Sequence, residues 1–204
     1  MIEKLAYTLG RNDEEPNIEL ARALAKAKNK KGIKEIVDGL NNPKAQIAND
    51  CIKVLYELAE INHELVAEYA DTFIKLLKSR NCRLVWGSMT ALSKIASLKA
   101  DDIYKNIDVV IRAYEKGKVI TVDNSISVFA ELVKAGKKYE KKVFPIIIEH
   151  LEKCRSKEVG QHAERAFGCI NKNNSQLFKE TLLKRRETLT DAQKKRVDKL
   201  LKLI

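Results

Sequence analysis

Apolar residues recur along the chain in a helical rhythm, and the rhythm itself repeats. Leu55, Leu92, Phe129 and Phe167 are separated by 37, 37 and 38 residues, and each opens the same apolar ending: Leu55–Leu58, Leu92–Ile95, Phe129–Leu132, Phe167–Ile170. One position earlier stand Val54, Ala91, Val128 and Ala166, and four positions earlier the small residues Cys51, Ser88, Ser125 and Ala163. Spacings of i, i+3, i+4 and i+7 put such residues in one stripe along a helix, and small residues within the stripe let a neighbouring helix come close. A second series precedes the first. Ile36, Phe73, Val110 and Ile147 recur every 37 residues, followed one turn later by Leu40, Leu77, Tyr114 and Leu151. Each repeat is therefore expected to contain two core-facing helices.

The pattern predicts first helices near 31–40, 64–79, 101–116 and 139–153, with second helices near 43–60, 81–97, 118–135 and 157–171. Asn41 and Asn42 are candidate caps with Pro43 at a first helical position, and Gly117 offers a break between helices. A last pair near 174–187 and 190–203 keeps the helical pattern but loses the period. In it Thr190 and Gln193 form the spacing of a capping box, and Val197, Leu200, Leu201 and Ile204 make one apolar stripe. Helices near 2–9 and 16–29 match the period poorly. The expected organisation is one domain over 1–204, with an N-terminal cap (1–30), four repeats of about 37 residues (31–171) and basic C-terminal capping helices (172–204).

Two-helix units of this length, carrying "ANDCIKVLYELA", "WGSMTALSKIA" and "DNSISVFAELV", resemble HEAT or armadillo-type repeats over residues 31–171. The resemblance implies an all-α, right-handed α-α superhelix, a HEAT-like solenoid of about four to five two-helix repeats with capping helices. The Val-Arg pair common early in the second HEAT helix is absent here: Ile47-Ala48, Leu84-Val85, Thr121-Val122 and Val159-Gly160 stand in its place. Pro145, inside a first helix, is compatible with the kink many HEAT units show.

Composition supports helices: eight glycines and three prolines in 204 residues are few breaks. No apolar run approaches the roughly 20 residues of a membrane span, and the start lacks an apolar stretch of signal-peptide length, so a soluble, cytoplasmic chain without a membrane partner is expected. The four cysteines (Cys51, Cys82, Cys154, Cys169) show no CxxC spacing and read as reduced thiols. Charge is uneven: residues 1–102 carry 16 Lys and Arg against 15 Asp and Glu, and residues 103–204 carry 23 against 13.

Reactive residue types do not assemble into a known catalytic pattern. Cys82 at a helix start and Ser88 in the core stripe lack a neighbouring base and a group to orient it. His150 and Cys154 lie four apart on one helix face with His162 across the corner. A closed zinc site normally takes four ligands, so they read as surface or capping side chains, and neither a metal nor another cofactor is expected. No phosphate-cradling loop, dinucleotide fingerprint or HExxH is present, so neither enzyme activity nor a small-molecule substrate is indicated.

Trp86 carries the functional question. Its repeat equivalents are Asn49, Asp123 and Gln161, so the register places it on the second-helix side that elsewhere is polar, and second helices line the concave binding face of such solenoids. Lys53, Tyr56, Thr90, Lys94, Ser127 and Arg165 are expected to join these four as a partner-binding set for a protein or peptide, with Trp86 and Tyr56 as aromatic anchors. The alternative for Trp86 is a half-buried ring covering the gap beside Gly87. Lys137, Lys138, Lys141, Lys142, Lys184, Arg185, Arg186, Lys194, Lys195 and Arg196 form a candidate polyanion-binding set, since phosphates attract such arrays without sequence readout. That reading resembles the HEAT-like alkylpurine DNA glycosylases. The resemblance implies a concave DNA site with a catalytic aspartate, but Thr90, not an acid, stands one turn after Trp86.

Overall fold

The computed structural model describes residues 1–204, and every regular element in it is a helix. The helices are α1 (Glu15–Ala27), α2 (Lys30–Asp38), α3 (Ala45–Ile61), α4 (Glu64–Ala67), α5 (Ala70–Leu76), α6 (Cys82–Ile95), α7 (Ala100–Lys105), α8 (Ile107–Glu115), α9 (Val119–Ala135), α10 (Lys137–Lys153), α11 (Ser156–Phe167), α12 (Ser175–Arg186) and α13 (Asp191–Leu201). They form two compact units, Met1–Ser125 and Ile126–Ile204.

The repeat register is a register of burial. The small positions Cys51, Ser88, Ser125 and Ala163 and the next series Val54, Ala91, Val128 and Ala166 are all fully buried. So are Ile36, Phe73, Val110 and Ile147 in the first helices. The fourth copy departs at its end: α11 stops at Phe167, whose ring is half-buried, and Ile170 lies beyond the helix.

In the first unit, α3 packs between α1 and α6, and α5 packs on α6. Gly87 lets α3 and α6 approach, because a Cβ there would stand 2.6 Å from Cγ1 of the fully buried Ile52. Two predicted first helices are each split in two. At Asn106 the reason is local: its side-chain Nδ2 donates to the Asp102 carbonyl (3.0 Å) while its backbone N–H bonds Ile103 O, so a side chain takes the acceptor that a continuing helix would use. At Tyr69 the backbone leaves helical geometry (φ −95°, ψ 16°). Pro145, by contrast, sits inside an uninterrupted α10.

Two terminal expectations change. Near the N-terminus only a short 3-10 turn, Ile2–Lys4, replaces the helix expected over 2–9. At α3, Asn42 Oδ1 accepts from Lys44 N (2.9 Å) and the helix starts at Ala45, leaving Pro43 outside it.

In the second unit, α10 packs on α12 and α11 on α13. The capping box forms: Gln193 N–H donates to Thr190 Oγ1 and Thr190 N–H to Gln193 Oε1. Arg185 of α12 donates to the carbonyls of Leu151, Glu152 and Cys154, satisfying the last orphan acceptors of α10. No helix is long and apolar enough to cross a membrane.

Candidate functional site

The ring of Trp86 is half-buried and packs on Tyr56, with centroids 5.4 Å apart and planes tilted by 48°. The register that put a tryptophan on α6 one repeat after α3 brings the pair together, and Gly87 sets how close the two helices run. Cations flank both rings: Arg83 lies 5.4 Å from the Trp86 centroid and Lys53 4.9 Å from that of Tyr56. Glu14 of the preceding segment ties the two cations together, pairing with Lys53 (2.9 Å) and with Arg83. Lys53 also reaches Glu57 (2.7 Å).

Lys53 thereby departs from the expectation of an open contact residue. It is 6% exposed, because two carboxylates hold its ammonium inside. Burial opposes that charge, but the contacts with Glu57 and Tyr56 outweigh it and raise the Lys53 pKa. Burial pushes the Tyr56 phenol up.

The other predicted face residues of the first unit, Asn49, Thr90, Lys94 and Asp123, are half-buried in polar rows between successive second helices. Asn81 Nδ2 donates to Asn49 Oδ1 (2.8 Å), Asn124 Nδ2 to Thr90 Oγ1 (3.0 Å), and Lys94 pairs with Glu60. In the second unit Ser127, Gln161 and Arg165 are half-buried too, with Arg165 donating to Ser127 Oγ (2.8 Å).

Beside Trp86 the first unit holds a cleft of about 510 Å³ that the sequence reading did not anticipate. Leu77, Val85, Trp86, Val109 and Ala113 supply its apolar lining, and Lys78, Arg112, Lys116 and Lys118 are the charged residues among the walls. No carboxylate lines it. Cys82, exposed at the start of α6, borders the opening, and Val119 and Ile120, next in the chain to Lys118, are 53% and 48% exposed. The signal for the cleft was present as "KGKVI": an apolar pair outside the core stripe, preceded by two lysines at a helix start.

The polyanion-binding set divides. Arg185 is spent on carbonyls, Arg186 pairs with Asp198 (2.6 Å), Arg196 with Glu164 and Lys194 with Asp191 (3.6 Å). Lys137, Lys138, Lys141, Lys142, Lys184 and Lys195 are exposed, with Lys138 over the Tyr139 ring at 4.7 Å.

His150 and His162 are not surface or capping residues as the spacing was read. They are 8% and 0% exposed, with Nε2 of the first 2.7 Å from Nδ1 of the second. A two-residue corner, Cys154 and Arg155, joins α10 to α11 and folds both rings inward. Ser88 is fully buried with no hydrogen-bond partner for its Oγ, a packing position without a base. Burial pushes the thiols of Cys51 and Cys169 up to about 12 and that of Cys154 up to about 11.

No family model matches the chain, and no curated protein does. Solved structures do. A designed armadillo repeat protein in complex with the peptide (KR)4 is similar with a TM-score of 0.68 at 13% identity, covering 93% of this chain and 90% of that one. An engineered protein matches with a TM-score of 0.66 at 20% identity over 98% of this chain and 95% of that one. Kap121p bound to Pho4p matches with a TM-score of 0.67 at 16% identity, where 93% of this chain corresponds to 21% of that one. Together with the two-helix repeats and their shared burial register, these likenesses assign the chain an all-α solenoid fold of the HEAT/armadillo type.

Proposed function

We propose that this protein is a non-enzymatic binding scaffold whose first unit receives an acidic peptide segment with one apolar side chain as anchor. The observation that carries the reading is the cleft beside Trp86: an apolar lining with cations and no carboxylate around it. An aliphatic or aromatic side chain inserted there would be desolvated against Val85, Val109 and Trp86, where anchor residues gain most. Acidic neighbours would meet Lys78, Arg112, Lys116 and Lys118, which steer association and penalise a basic partner. The exposed Val119 and Ile120 extend the apolar surface beyond the opening.

The network of Glu14, Lys53 and Arg83 holds Tyr56 and Trp86 in place before any partner arrives, so little ordering entropy remains to be lost on binding. The designed armadillo protein above holds an alternating basic peptide; the charge of this cleft favours the opposite sign.

The test uses a fluorescein-labelled peptide with a central phenylalanine between glutamates, and the same peptide with lysines in place of the glutamates. The acidic peptide is expected to raise polarisation, to perturb the emission of the sole tryptophan and to slow maleimide labelling of Cys82. Binding should weaken as salt rises. Equal affinity for the lysine peptide, or unchanged Cys82 labelling with the acidic peptide bound, would refute the proposal.

A further inference from the structure

Where α10 turns into α11, three soft donors converge. His150 lies in the last turn of α10, Cys154 closes that helix with its N–H on His150 O (2.8 Å), and His162 follows in α11. One donor atom from each lies within 4.8 Å of the other two. We propose that His150, Cys154 and His162 form a binding site for a borderline-soft divalent cation, zinc first, with the fourth position open to water or to a partner's group.

The donor set fits that ion. Two imidazole nitrogens and a thiolate are what zinc takes, and three protein ligands with one open position are a known form of its tetrahedral sites. Bonds of about 2.0–2.1 Å to nitrogen and about 2.3 Å to sulfur put the two nitrogens roughly 3.3 Å apart and the sulfur roughly 3.5 Å from each. The nitrogens, now 2.7 Å apart, need to part by a fraction of an ångström. The sulfur needs to close in by about 1.3 Å at most, a change within reach of rotation about its own side chain.

The surroundings are also suited. The two rings are buried, while Cys154 is only partly covered and leaves a route for the ion. Arg185 fixes the corner by donating to the carbonyls of Leu151, Glu152 and Cys154, so the donors are held by an element outside their own helices. Arg185, close enough to act on the Cys154 thiol, favours its thiolate form, and Glu158 nearby is paired with Arg155.

The proton balance is simple. In the metal-free pair a single proton lies between Nε2 of His150 and Nδ1 of His162. On binding it moves to the far nitrogen of the ring that carried it, freeing both lone pairs for the ion. The Cys154 thiol forms its bond to the metal as a thiolate and releases one proton to solvent.

Cobalt(II) is the probe. The full chain titrated with Co2+ is expected to take one equivalent, giving the visible bands of a tetrahedral ion and a thiolate-to-metal charge-transfer band, both removed by one equivalent of Zn2+. Cys154→Ser is nearly isosteric at a partly covered position, and circular dichroism checks that it folds. It should lose the charge-transfer band, while Cys82→Ser should keep it. Zn2+ should raise the Tm of the wild type and of Cys82→Ser, and leave that of Cys154→Ser unchanged. A wild type without tetrahedral bands, or bands that survive in folded Cys154→Ser, would overturn the proposal and leave the histidine pair a packed hydrogen bond.

Discussion

The two units carry their basic residues differently. Residues 1–125 hold 20 Lys and Arg against 18 Asp and Glu, whereas residues 126–204 hold 19 against 10. Yet every arginine of the strongly basic unit is engaged: Arg155, Arg186 and Arg196 with carboxylates, Arg165 with a hydroxyl and Arg185 with carbonyls. The nearly neutral unit instead places Lys78, Lys116 and Lys118 around an apolar cleft with no ion pair of their own. Net charge counts groups, and availability depends on which of them the fold has already paired.

The largest expected effect separates the units by packing. Gly87→Leu should destabilise the protein by about 3 kcal/mol, because the new side chain must displace the fully buried Ile52. Gly160→Ala should cost little or nothing. The nearest atoms to its Cβ would belong to the Arg196 stem, 2.7 Å away and able to shift, while alanine is the better helix former. Denaturant midpoints for the two variants measure the contrast. Equal midpoints would remove it.

Next comes the committed charge. Arg185→Met should lower stability by about 2 kcal/mol, since the carbonyls at the end of α10 lose a charged donor. Lys116→Gln in the cleft should leave stability within about 0.5 kcal/mol and weaken acidic-peptide binding instead. Thermal unfolding and polarisation together separate the two roles; a stability loss at Lys116 would show that its charge is committed too.

Smaller again is the anchor. Trp86→Ala is expected to reduce affinity for the acidic peptide roughly tenfold, measured by polarisation, with no comparable loss for Gln161→Ala at the repeat-equivalent position of the second unit.

The smallest effect is on pH. Glu164 beside Arg196 and Asp198 beside Arg186 have carboxyls held below their ordinary range by those guanidinium hydrogen bonds. A depressed folded-state value means the pairs stabilise above the unfolded carboxylate range and lose that contribution as pH falls through the folded values. An acid titration of stability should therefore show a shallow acidic decline that Arg196→Gln makes shallower still, and a slope unaffected by the substitution would deny the pair a role.

Much of the fold was legible because burial in a helical repeat is periodic. Cys51, Ser88, Ser125 and Ala163 are buried as their spacing required, and the capping box at Thr190 formed because both partners are local. Helix interruptions were less legible. Pro145 drew attention and left α10 whole, while Asn106 broke a helix through one side-chain hydrogen bond that periodicity does not register. The site was legible in part: Trp86 stood out against Asn49, Asp123 and Gln161, but Lys53 looked like an open contact because Glu14 is 39 residues away in sequence.

The sequence by itself determined the repeat, its two-helix content, the core stripe and the odd position of Trp86, since each follows from spacing along one chain. Only the tertiary structure decided which polar groups are used up and which remain open. It buried His150 against His162, paired Lys53, committed the arginines of the second unit and opened a cleft lined from α6, α8, α9 and the loops that follow α5 and α8. The physical reason is that pairing, desolvation and cavity shape depend on groups brought together across helices, and no period along the chain records which partners meet.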